Sequence, residues 1–474
     1  MRLTSDSRQA APGAAFFAWP GTAGDGRRHI PEAIGRGCDA VVWERAGFAW
    51  DEGWRVPNVG VADLKAKAGF LADAFYGRPS ASLWTCGVTG TNGKTTCAQW
   101  VAAALSAHGE KAGLIGTLGA GFAGALSPVA NTTPDALEVH RLLAHMKGAG
   151  AGAVAMEVSS HALAQGRVNG VAFDCALFTN LSHDHLDYHG SMEAYAAAKA
   201  RLFDTPGLQA AVLNLDDVLG VQLAARLGAR AVCTIGYTLD RAAVAPGSVA
   251  DWICAGPAGE GRIAIESSRG RATVAFGHLG RFNLANAMGV LGCLLARGLP
   301  LPEAARLLEN LPPVPGRMQR VGTGAPGPLV VVDYAHTPDA LDKVLQALKP
   351  MAAARGGRLV AVFGAGGGRD AAKRPAMGAA AARHADRVVL TSDNPRDEDP
   401  LAIMAAIAKG VTVPHASEPD RARAIAGAIA QAAPADVVLV AGKGHEAFQE
   451  AGGRRLPFSD AATAEAALAA RERA

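Results

Sequence analysis

The sequence predicts an α/β protein built from three domains. The chain has 474 residues, and because one core rarely grows beyond about 250–300 residues, a chain of this length needs about three domains. From about residue 84 onward, short apolar runs alternate with glycine-rich turns and alanine-rich helical stretches, a pattern typical of parallel sheets. We expect domains over residues 1–83, 84–315 and 316–474, and the prolines at 312, 313 and 315 predict a linker before the third.

Composition limits the classes of partner. The chain is 49% hydrophobic and 19% charged, with a formal net charge of +3, which indicates a folded globular protein and gives no reason to expect nucleic acid or a membrane surface as partner. The start of the chain, Met1–Asp6, lacks the apolar core of a signal peptide, and no run of about 18 uncharged apolar residues follows. The seven cysteines are odd in number and form no CxxC pair, so we expect reduced thiols in a cytoplasmic protein.

The strongest motif is a glycine-rich loop over residues 84–96. An apolar strand precedes it, glycines stand at positions 87, 90 and 93, and an alanine-rich helix runs on to about Ala107. Backbone N–H groups of such a loop bind phosphate oxygens, Lys94 would neutralise the terminal phosphates, and the Thr95 hydroxyl can bind Mg²⁺. Val88 departs from the common spacing and indicates a variant loop. The alternative, a glycine turn with a chance lysine, does not explain the flanking strand and helix, so we predict a central phosphate-loop ATPase-like parallel sheet.

Acidic and histidine side chains follow two further strands. The strand 152–157 ends at Glu157, where phosphate-loop enzymes commonly hold a Mg²⁺ ligand. The segment 183–189 holds three of the thirteen histidines and two aspartates. His185 is the better candidate for a site there, and His183 and His189 taken singly are better explained as polar loop residues. A two-metal zinc hydrolase motif is the rival interpretation, but it leaves the phosphate loop unexplained.

Lys199 stands on an apolar helix face. Met192, Tyr195, Lys199 and Leu202 recur at spacings of three and four within the predicted helix 191–203. A lysine on such a stripe loses hydration, which favours the neutral amine and permits reaction with carbon dioxide to give a Mg²⁺-binding carbamate. The alternative is a lysine that reaches solvent past its neighbours.

The last third of the chain predicts a second parallel sheet, of Rossmann-like type. Apolar runs at 359–363, 388–390 and 437–440 each end in a polar or glycine-rich loop, and helical stretches at 376–385 and 421–432 lie between them. The carboxyl ends of these strands are therefore the expected place for a site.

Together these residues resemble the Mur ligase family, whose three domains bind a uridine-diphosphate sugar precursor, ATP and an amino acid in that order. The first domain is then a small α/β domain. The resemblance spans nearly the whole chain and rests on Gly90–Thr95, Glu157–His161, Thr179–Leu181, Asp184–Asp187, Asn283, Asn286, Gly316–Arg317 and Asp333–Pro338.

The resemblance implies roles for these residues. Lys94, Glu157, His185 and Lys199 would be catalytic, and Mg²⁺ would be held by Thr95, Glu157, His185 and a carbamylated Lys199. ATP, the co-substrate, would meet Gly90, Thr91, Asn92, Gly93, Lys94, Thr95, Thr96, Asn283, Asn286, Arg317, Asp333 and His336.

The precursor site is expected on the first and second domains. Asp6-Ser7-Arg8 and the loop Gly21–Gly26 resemble the uridine-diphosphate site, with Ser7 as its named contact. The loop reads Gly21-Thr22-Ala23-Gly24 where relatives often have a histidine, which sets it apart from the family pattern. The rest of the precursor would meet Thr132, Thr133, Ser159, Gln165 and Arg167.

The third domain indicates the acceptor. Asp393-Asn394-Pro395-Arg396 and Gly442-Lys443-Gly444-His445-Glu446 resemble the acceptor loops of the MurE type, which adds meso-diaminopimelate. A guanidinium suits the far carboxylate of that amino acid, so Arg396 is its expected partner. Arg369 would meet the other carboxylate, and Asp393, Asn394, Gly442 and Glu446 would complete the site. In an unrelated protein, Asp-Asn-Pro-Arg would simply be an exposed turn.

The expected reaction is amide formation through an acyl phosphate. By the resemblance, the D-glutamate carboxylate of UDP-N-acetylmuramoyl-L-alanyl-D-glutamate would attack the γ-phosphate of ATP, and the diaminopimelate amine would then displace phosphate. A lysine-adding Mur ligase and a folate-polyglutamate ligase are the alternatives within the family. A phosphate-loop regulatory ATPase that captures a partner protein is the alternative from another class.

Overall fold

The computed structural model describes residues 1–21, 24–228, 230–244, 249–259, 261–322 and 327–473. Its contacts divide the chain into two compact units. The first comprises Met1–Leu181, His189–Phe276 and Ala285–Leu311; the second comprises Ser182–Tyr188, Gly277–Leu284 and the chain from Pro312 onward. Three main sheets lie within these units, so the predicted α/β class with three domains is confirmed. In the described ranges, no helix is long and apolar enough to cross a bilayer.

The amino-terminal sheet has four parallel strands in the order β1-β2-β3-β4. Side chains alternate across it, so Phe16 packs with Ile30 and Trp43 on one face while Phe17 packs with Leu64 on the other. The elements are β1 (Arg2–Thr4), β2 (Ala14–Ala18), α1 (Ile30–Gly35), β3 (Ala40–Glu44), β4 (Asn58–Val61) and α2 (Leu64–Phe75).

The central sheet has eleven strands in the order β15-β14-β13-β12-β11-β10-β5-β9-β6-β7-β8. Its middle is parallel, and antiparallel hairpins extend both edges. The strands are β5 (Trp84–Thr89), β6 (Ala112–Gly116), β7 (Gly119–Phe122), β8 (Ala125–Ser127), β9 (Ala153–Glu157), β10 (Cys175–Phe178), β11 (Ala210–Asn214), β12 (Cys233–Thr238), β13 (Asp251–Gly259), β14 (Arg262–Ser267) and β15 (Gly270–Ala275).

Eight helices accompany this part of the described chain. The predicted strand, loop and helix of the glycine-rich motif are confirmed, because β5 ends at Thr89 and α3 begins at Lys94 and ends at Ala107. The helices are α3 (Lys94–Ala107), α4 (Ala136–Gly148), α5 (Ser160–Ala164), α6 (Leu186–His189), α7 (Met192–Ala200), α8 (Val218–Leu227), α9 (Arg281–Ala296) and α10 (Leu301–Leu307).

The carboxy-terminal sheet has six strands in the order β16-β17-β21-β18-β19-β20, and all but β16 are parallel. The three strands and two helices predicted here are confirmed, with ends close to those expected. The elements are β16 (Gln319–Val321), β17 (Leu329–Asp333), α11 (Pro338–Ala354), β18 (Leu359–Phe363), α12 (Lys373–His384), β19 (Arg387–Leu390), α13 (Pro400–Ala408), β20 (His415–Ser417), α14 (Arg421–Gln431), β21 (Val437–Ala441), the hairpin β22 (Phe448–Ala451) and β23 (Arg454–Pro457), and α15 (Asp460–Glu472).

A buried ion pair joins α14 to α15 in the second unit. Arg421 and Asp460 have completely buried side chains and form a two-pronged pair, with both N–O distances at 2.7 Å. The same guanidinium donates to the carbonyl oxygens of Ser392 and Ala441, at the ends of two sheet strands. It therefore fixes the backbone from which the loops of the predicted acceptor site leave.

We expect Arg421→Ala to lower the free energy of unfolding by about 3–5 kcal/mol, because it leaves the Asp460 carboxylate buried without its partner. Arg423→Ala is the matched control, since Arg423 is exposed on the same helix and pairs with Glu418 at the surface; its effect should stay within about 0.5 kcal/mol. Urea unfolding followed by circular dichroism measures both. Equal losses for the two variants would contradict a structural role for the buried pair.

Candidate active site

The glycine-rich loop is held by the residues that follow the neighbouring strand β10. The Thr91 N–H donates to the Asn180 carbonyl (2.7 Å), the Asn92 N–H donates to Asn180 Oδ1 (3.0 Å), and Asn180 Nδ2 returns a bond to the Asn92 carbonyl (3.1 Å). Thr179 Oγ1 donates to the same carbonyl at 2.6 Å. The loop shape is thus set by a second strand end and not by the loop sequence alone.

Two loop positions require glycine. Gly90 has φ +147° and Gly93 has φ +87°. A Cβ on Gly90 would lie 1.8 Å from Thr179 Oγ1, and one on Gly93 would lie 2.5 Å from Asn286 Oδ1. The loop backbone therefore packs closely against Thr179 and Asn286. The loop N–H groups lie beside the start of α3, where anions are favoured.

Two lysines converge on one loop carbonyl. Lys94 Nζ donates to the carbonyl oxygens of Gly90 (2.8 Å) and Thr91 (2.9 Å), and Lys199 Nζ donates to the Gly90 carbonyl at 2.8 Å. Lys199 is 1% exposed and lies 4.3 Å from the ring centroid of Tyr195. The apolar stripe predicted for this helix is confirmed, and the alternative in which Lys199 reaches solvent is wrong.

Glu157 ends strand β9 as predicted and is buried among threonines. Its Oε2 accepts a hydrogen bond from Thr95 Oγ1 (2.9 Å), and its Oε1 accepts one from the Thr117 N–H (2.6 Å). A Cβ on Gly116 would lie 2.3 Å from Oε1, so a residue without a side chain is needed there. A carboxylate and a hydroxyl at this spacing are the hard oxygen ligands that Mg²⁺ prefers, so these two residues fit the predicted metal.

The histidine-rich segment does not form a metal cluster of its own. His185 has φ +55°, and its Nε2 lies 3.4 Å from Asp184 Oδ2, both within the second unit, whereas Glu157 and Lys199 belong to the first. His183 is exposed, and His189 Nε2 lies 3.0 Å from Ser160 Oγ. Within the described ranges, residues 183–189 contain no group of three potential ligands at metal-binding distance, which argues against the zinc hydrolase alternative.

The residues predicted for the sugar-peptide precursor form a chain of hydrogen bonds that starts at Glu157. Thr133 Oγ1 donates to the Glu157 carbonyl (2.8 Å) and accepts from the Ser159 N–H (3.1 Å). Arg167 Nη1 donates to the Thr133 carbonyl (2.8 Å), and Arg167 Nε donates to Gln165 Oε1 (2.9 Å). Thr132 is linked to the same chain through Thr117 Oγ1, at 3.0 Å.

A cavity of about 760 Å³ lies in the first unit, and Trp19, Glu44, Lys65, Gln165 and Arg201 are among its lining residues. Gln165 thus joins the hydrogen-bonded chain to this space. Ser7 is buried and donates to Glu32 Oε2 at 2.8 Å. Thr22 and Ala23 of the predicted Gly21–Gly26 loop lie outside the described residues.

The residues predicted to meet the nucleotide fall in both units. Asn286 is buried beside Gly93 in the first unit, and Asn283 is buried in the second, where its Nδ2 donates to the Leu279 carbonyl (2.8 Å). Arg317 lies over the Tyr334 ring, 4.4 Å from its centroid.

Two titratable groups of the second unit belong to this set. Asp333 accepts from the Met318 and Ala335 N–H groups, at 2.7 and 2.8 Å, and burial raises the pKa of its carboxyl. His336 Nδ1 lies 2.9 Å from the Tyr334 carbonyl, and burial lowers the pKa of its ring.

The two predicted acceptor loops meet in the second unit. Lys443 is completely buried and donates to Asn394 Oδ1 (2.9 Å) and Glu446 Oε2 (2.8 Å). Asn394 Nδ2 also donates to Glu446 Oε2, at 2.9 Å. A Cβ on Gly442 would lie 2.5 Å from Asp393 Oδ2. The loops after β19 and β21 are therefore locked together, as the order of the strands predicts.

Arg396 has an unusual backbone conformation, and its side chain contacts two neighbouring segments. It has φ +53°, which is costly for a residue with a Cβ. Its N–H donates to the Glu450 carbonyl (3.0 Å), its Nε lies 3.3 Å from Glu450 Oε2, and its Nη1 donates to the Gly367 carbonyl. Arg369, in the glycine-rich loop after β18, is exposed.

Sequence reasoning did not single out three residues of these sites. Thr117 follows β6 without a motif around it, and Glu450 lies in the hairpin β22–β23, which carries no catalytic pattern. Lys443 lies in a loop that the sequence did predict to bind the acceptor, but no role was predicted for Lys443 itself. The glycines on either side of it were the signal that could have identified it.

Comparison with known proteins identifies the family. Three family models match the chain: Mur ligase family, catalytic domain, over residues 2–76; Mur ligase middle domain over 88–294; and Mur ligase, glutamate ligase domain, over 316–444. The chain belongs to the Mur ligase family. Members of this family are ATP-dependent ligases that form amide bonds.

Individual Mur ligases resemble the whole chain. It is 52% identical over 472 residues to the UDP-N-acetylmuramoyl-L-alanyl-D-glutamate--2,6-diaminopimelate ligase of Pseudomonas aeruginosa, covering 99% of this chain and 95% of the relative. The protein of the same name from Janthinobacterium is 49% identical over 481 residues, covering 99% and 94%.

Solved structures of Mur ligases extend the comparison. A structure bearing that same ligase name has a TM-score of 0.68 and 34% identity, and the match covers 99% of this chain and 95% of that one. MurF of Thermotoga maritima in complex with ADP, at 19% identity, shares the fold with a TM-score of 0.64 over 100% and 98% of the two chains.

We expect Gly90→Ala to weaken nucleotide binding by this Mur ligase. The added Cβ collides with Thr179 Oγ1 in a backbone conformation that alanine resists, which costs about 1–3 kcal/mol and raises the dissociation constant roughly tenfold to a hundredfold. Titration with a fluorescent ATP analogue measures it. Gly148→Ala is the control, because Gly148 ends a helix and a Cβ added there would meet no atom within 4 Å; equal affinity for the two variants would contradict the account of the loop.

Proposed function

We propose that this chain is the ATP-dependent ligase that joins diaminopimelate to the D-glutamate of UDP-N-acetylmuramoyl-L-alanyl-D-glutamate, releasing ADP and phosphate. The observation that carries the proposal is the identity of 49–52% over nearly the full chain to ligases named for that reaction. The product is a peptidoglycan precursor, so the enzyme serves cell-wall biogenesis.

The three domains take one substrate each. Residues 1–83 bind the nucleotide end of the precursor, 84–315 bind ATP, and 316–474 bind the amino acid. The cavity lined by Trp19 and Gln165 supports the first assignment, because it lies in the first unit next to the hydrogen-bonded chain of Thr133, Ser159 and Arg167.

The phosphate loop holds the triphosphate of ATP. Its N–H groups and the start of α3 face the phosphates, and Lys94 leaves the loop carbonyls to meet the terminal phosphate, which adds positive charge where the transferring group is most negative. Thr96, Asn283, Asn286, Arg317, Asp333 and His336 complete the nucleotide site. Burial lowers the pKa of the His336 ring, which favours its neutral form as a hydrogen-bonding group.

Mg²⁺ would be held by Thr95, Glu157, His185 and a carbamate on Lys199. When bound, the ion neutralises phosphate charge during the transfer. The contact between Thr95 and Glu157 supports two of these ligands. The burial of Lys199 beside the Gly90 carbonyl supports the carbamate, because an amine without water around it is a good nucleophile toward carbon dioxide.

The chemistry proceeds in two displacements. A carboxylate oxygen of D-glutamate attacks the γ-phosphorus of ATP, the bond to the bridging oxygen breaks, and ADP leaves. The neutral amine of diaminopimelate then attacks the acyl carbon, the carbon–oxygen bond to phosphate breaks, and phosphate leaves together with the proton that the nitrogen loses as the amide forms. The chain's own groups hold the carboxylate, the γ-phosphate and the amine in line. This positioning accounts for much of the rate acceleration.

The acceptor is held by the two locked loops. Arg396 pairs with the far carboxylate of diaminopimelate, and Arg369 meets the other one. Asp393, Asn394 and Glu446 accept from the ammonium beside the far carboxylate, and Gly442 allows the loops to approach. The network of Lys443 with Asn394 and Glu446 supports this assignment, because it orients those oxygens before the amino acid arrives.

We expect purified protein to convert the nucleotide dipeptide, ATP and diaminopimelate into the tripeptide, ADP and phosphate, and to use lysine far less well. Arg396→Ala should raise the KM for diaminopimelate roughly tenfold to a hundredfold, because it removes hydrogen bonds to a charged group worth about 1.5–3 kcal/mol, while the KM for ATP stays unchanged.

Arg454→Ala is the matched control for this assay, since Arg454 is exposed in the neighbouring hairpin. ATP hydrolysis without amide product would refute the ligase, and equal use of lysine would refute the acceptor. An unchanged KM for diaminopimelate in the Arg396 variant would remove that residue from the site.

We expect Lys199→Ala to lose activity and to regain part of it in millimolar formate or acetate, because a small carboxylate can stand in for the carbamate. Steady-state rates with and without the acid measure the rescue. Lys343→Ala, at an exposed lysine, should neither lose activity nor respond to the acid. Full activity of the Lys199 variant would refute the carbamate.

A further inference from the structure

Three cysteine side chains meet in the core of the first unit, outside the sites described so far. Cys86 lies on β5, Cys175 on β10 and Cys293 on α9, and each is 0% exposed. The strand register places Cys175 directly beside Cys86. The Sγ atoms of Cys86 and Cys293 are 3.7 Å apart, and all three sulfur atoms lie within 4.8 Å of one another.

These separations suit a common ligand. An ion bonded to thiolates at about 2.3 Å with near-tetrahedral angles sets the sulfur atoms about 3.8 Å apart. The three side chains come from two strands and a helix and already point to one place, so binding requires only small movements. Among the described residues, these cysteines are the one group of at least three potential metal ligands that lie close together. The group offers three sulfur atoms and no fourth ligand.

The net charge of the complex with three thiolates indicates which class of ligand can bind. Net charge in an apolar core is costly. Three thiolates around a monovalent ion leave a charge of −2, and around a divalent ion they leave −1, whereas a trivalent ion gives a neutral complex. Apolar neighbours stand close in the chain, since Val88 and Leu177 follow Cys86 and Cys175 two residues later on the same strands, Leu294 follows Cys293, and all three are 0% exposed. A trivalent, three-coordinate ligand is therefore the one that this core accommodates.

We propose that Cys86, Cys175 and Cys293 form a binding site for a trivalent thiophilic metalloid, with arsenite as its ligand. In the reaction, neutral As(OH)₃ exchanges its three hydroxyl groups for three thiols. Three As–S bonds form, three As–O bonds break, and the three thiol protons leave with the hydroxyl groups as water. No electron is transferred, and no other reactant is needed.

The three thiols differ in pKa and therefore in how easily each forms the reactive thiolate. Hydrogen bonds from the Cys175 and Cys293 thiols lower the pKa of Cys86, and burial raises the pKa of Cys293. The thiolate is the reactive form of cysteine, so this direction favours Cys86 as the thiol that reacts first. The bound metalloid would link β5, which leads into the phosphate loop, to α9, which carries Asn286 two turns before Cys293. Because folding brings the three sulfur atoms together, the metalloid binds the folded chain more tightly than the unfolded one and so stabilises it.

The test uses reduced full-length protein and sodium arsenite. After incubation and desalting, we expect about one arsenic per chain, and X-ray absorption at the arsenic edge should show three sulfur neighbours and no oxygen. Cys293→Ser should weaken retention at least about tenfold, since even the loss of a group that only orients a metal ligand costs about that much. Cys233→Ser, which removes an exposed thiol, should retain arsenic as the parent does.

Retention by Cys293→Ser equal to that of the parent would overturn the proposal. So would a parent protein that retains no arsenic, or one whose spectrum shows fewer than three sulfur neighbours. The spectrum of the parent decides the matter even where a serine variant does not fold. None of these readouts depends on ligase activity.

Discussion

The hydrogen bonds between the phosphate loop and the end of strand β10 are the constraint on which the rest depends. Thr179 and Asn180 hold the loop backbone at Thr91 and Asn92, and Gly90 has no room for a side chain beside them. The loop N–H groups are therefore arranged before a nucleotide binds. Preorganised donors of this kind stabilise the charge of a transferring phosphoryl group without first having to reorganise.

The groups that would act on the phosphates lie close to this loop. Glu157 ends β9 next to Thr95, and Lys199 reaches the Gly90 carbonyl from α7. The residues proposed to hold the precursor continue from the Glu157 carbonyl through Thr133. In the first unit, then, the position proposed for the acid and the position proposed for the γ-phosphate are parts of one hydrogen-bonded network. The loops proposed to bind the amine form a separate network in the second unit, fixed by buried Arg421.

The sequence was sufficient for features that local pattern determines. The strand and helix around the phosphate loop, the three carboxy-terminal strands and the buried stripe that includes Lys199 all follow from apolar periodicity, and the structure has each of them. The antiparallel hairpins at the sheet edges were not predicted, although they pair strands that are close in sequence. The pairing of Arg396 with Glu450, in contrast, depends on a contact between distant segments. Positive φ at Arg396 has no local signal either, because tertiary packing imposes it.

The central claim is that ATP activates the acid of the precursor by direct phosphoryl transfer. Precursor labelled with ¹⁸O in the D-glutamate carboxylate tests it most directly, since an acyl phosphate intermediate passes one carboxylate oxygen to the released phosphate. We predict one ¹⁸O atom in each phosphate, detected by mass spectrometry or by the isotope shift of its ³¹P resonance. Phosphate that carries no ¹⁸O while the amide forms would contradict the account.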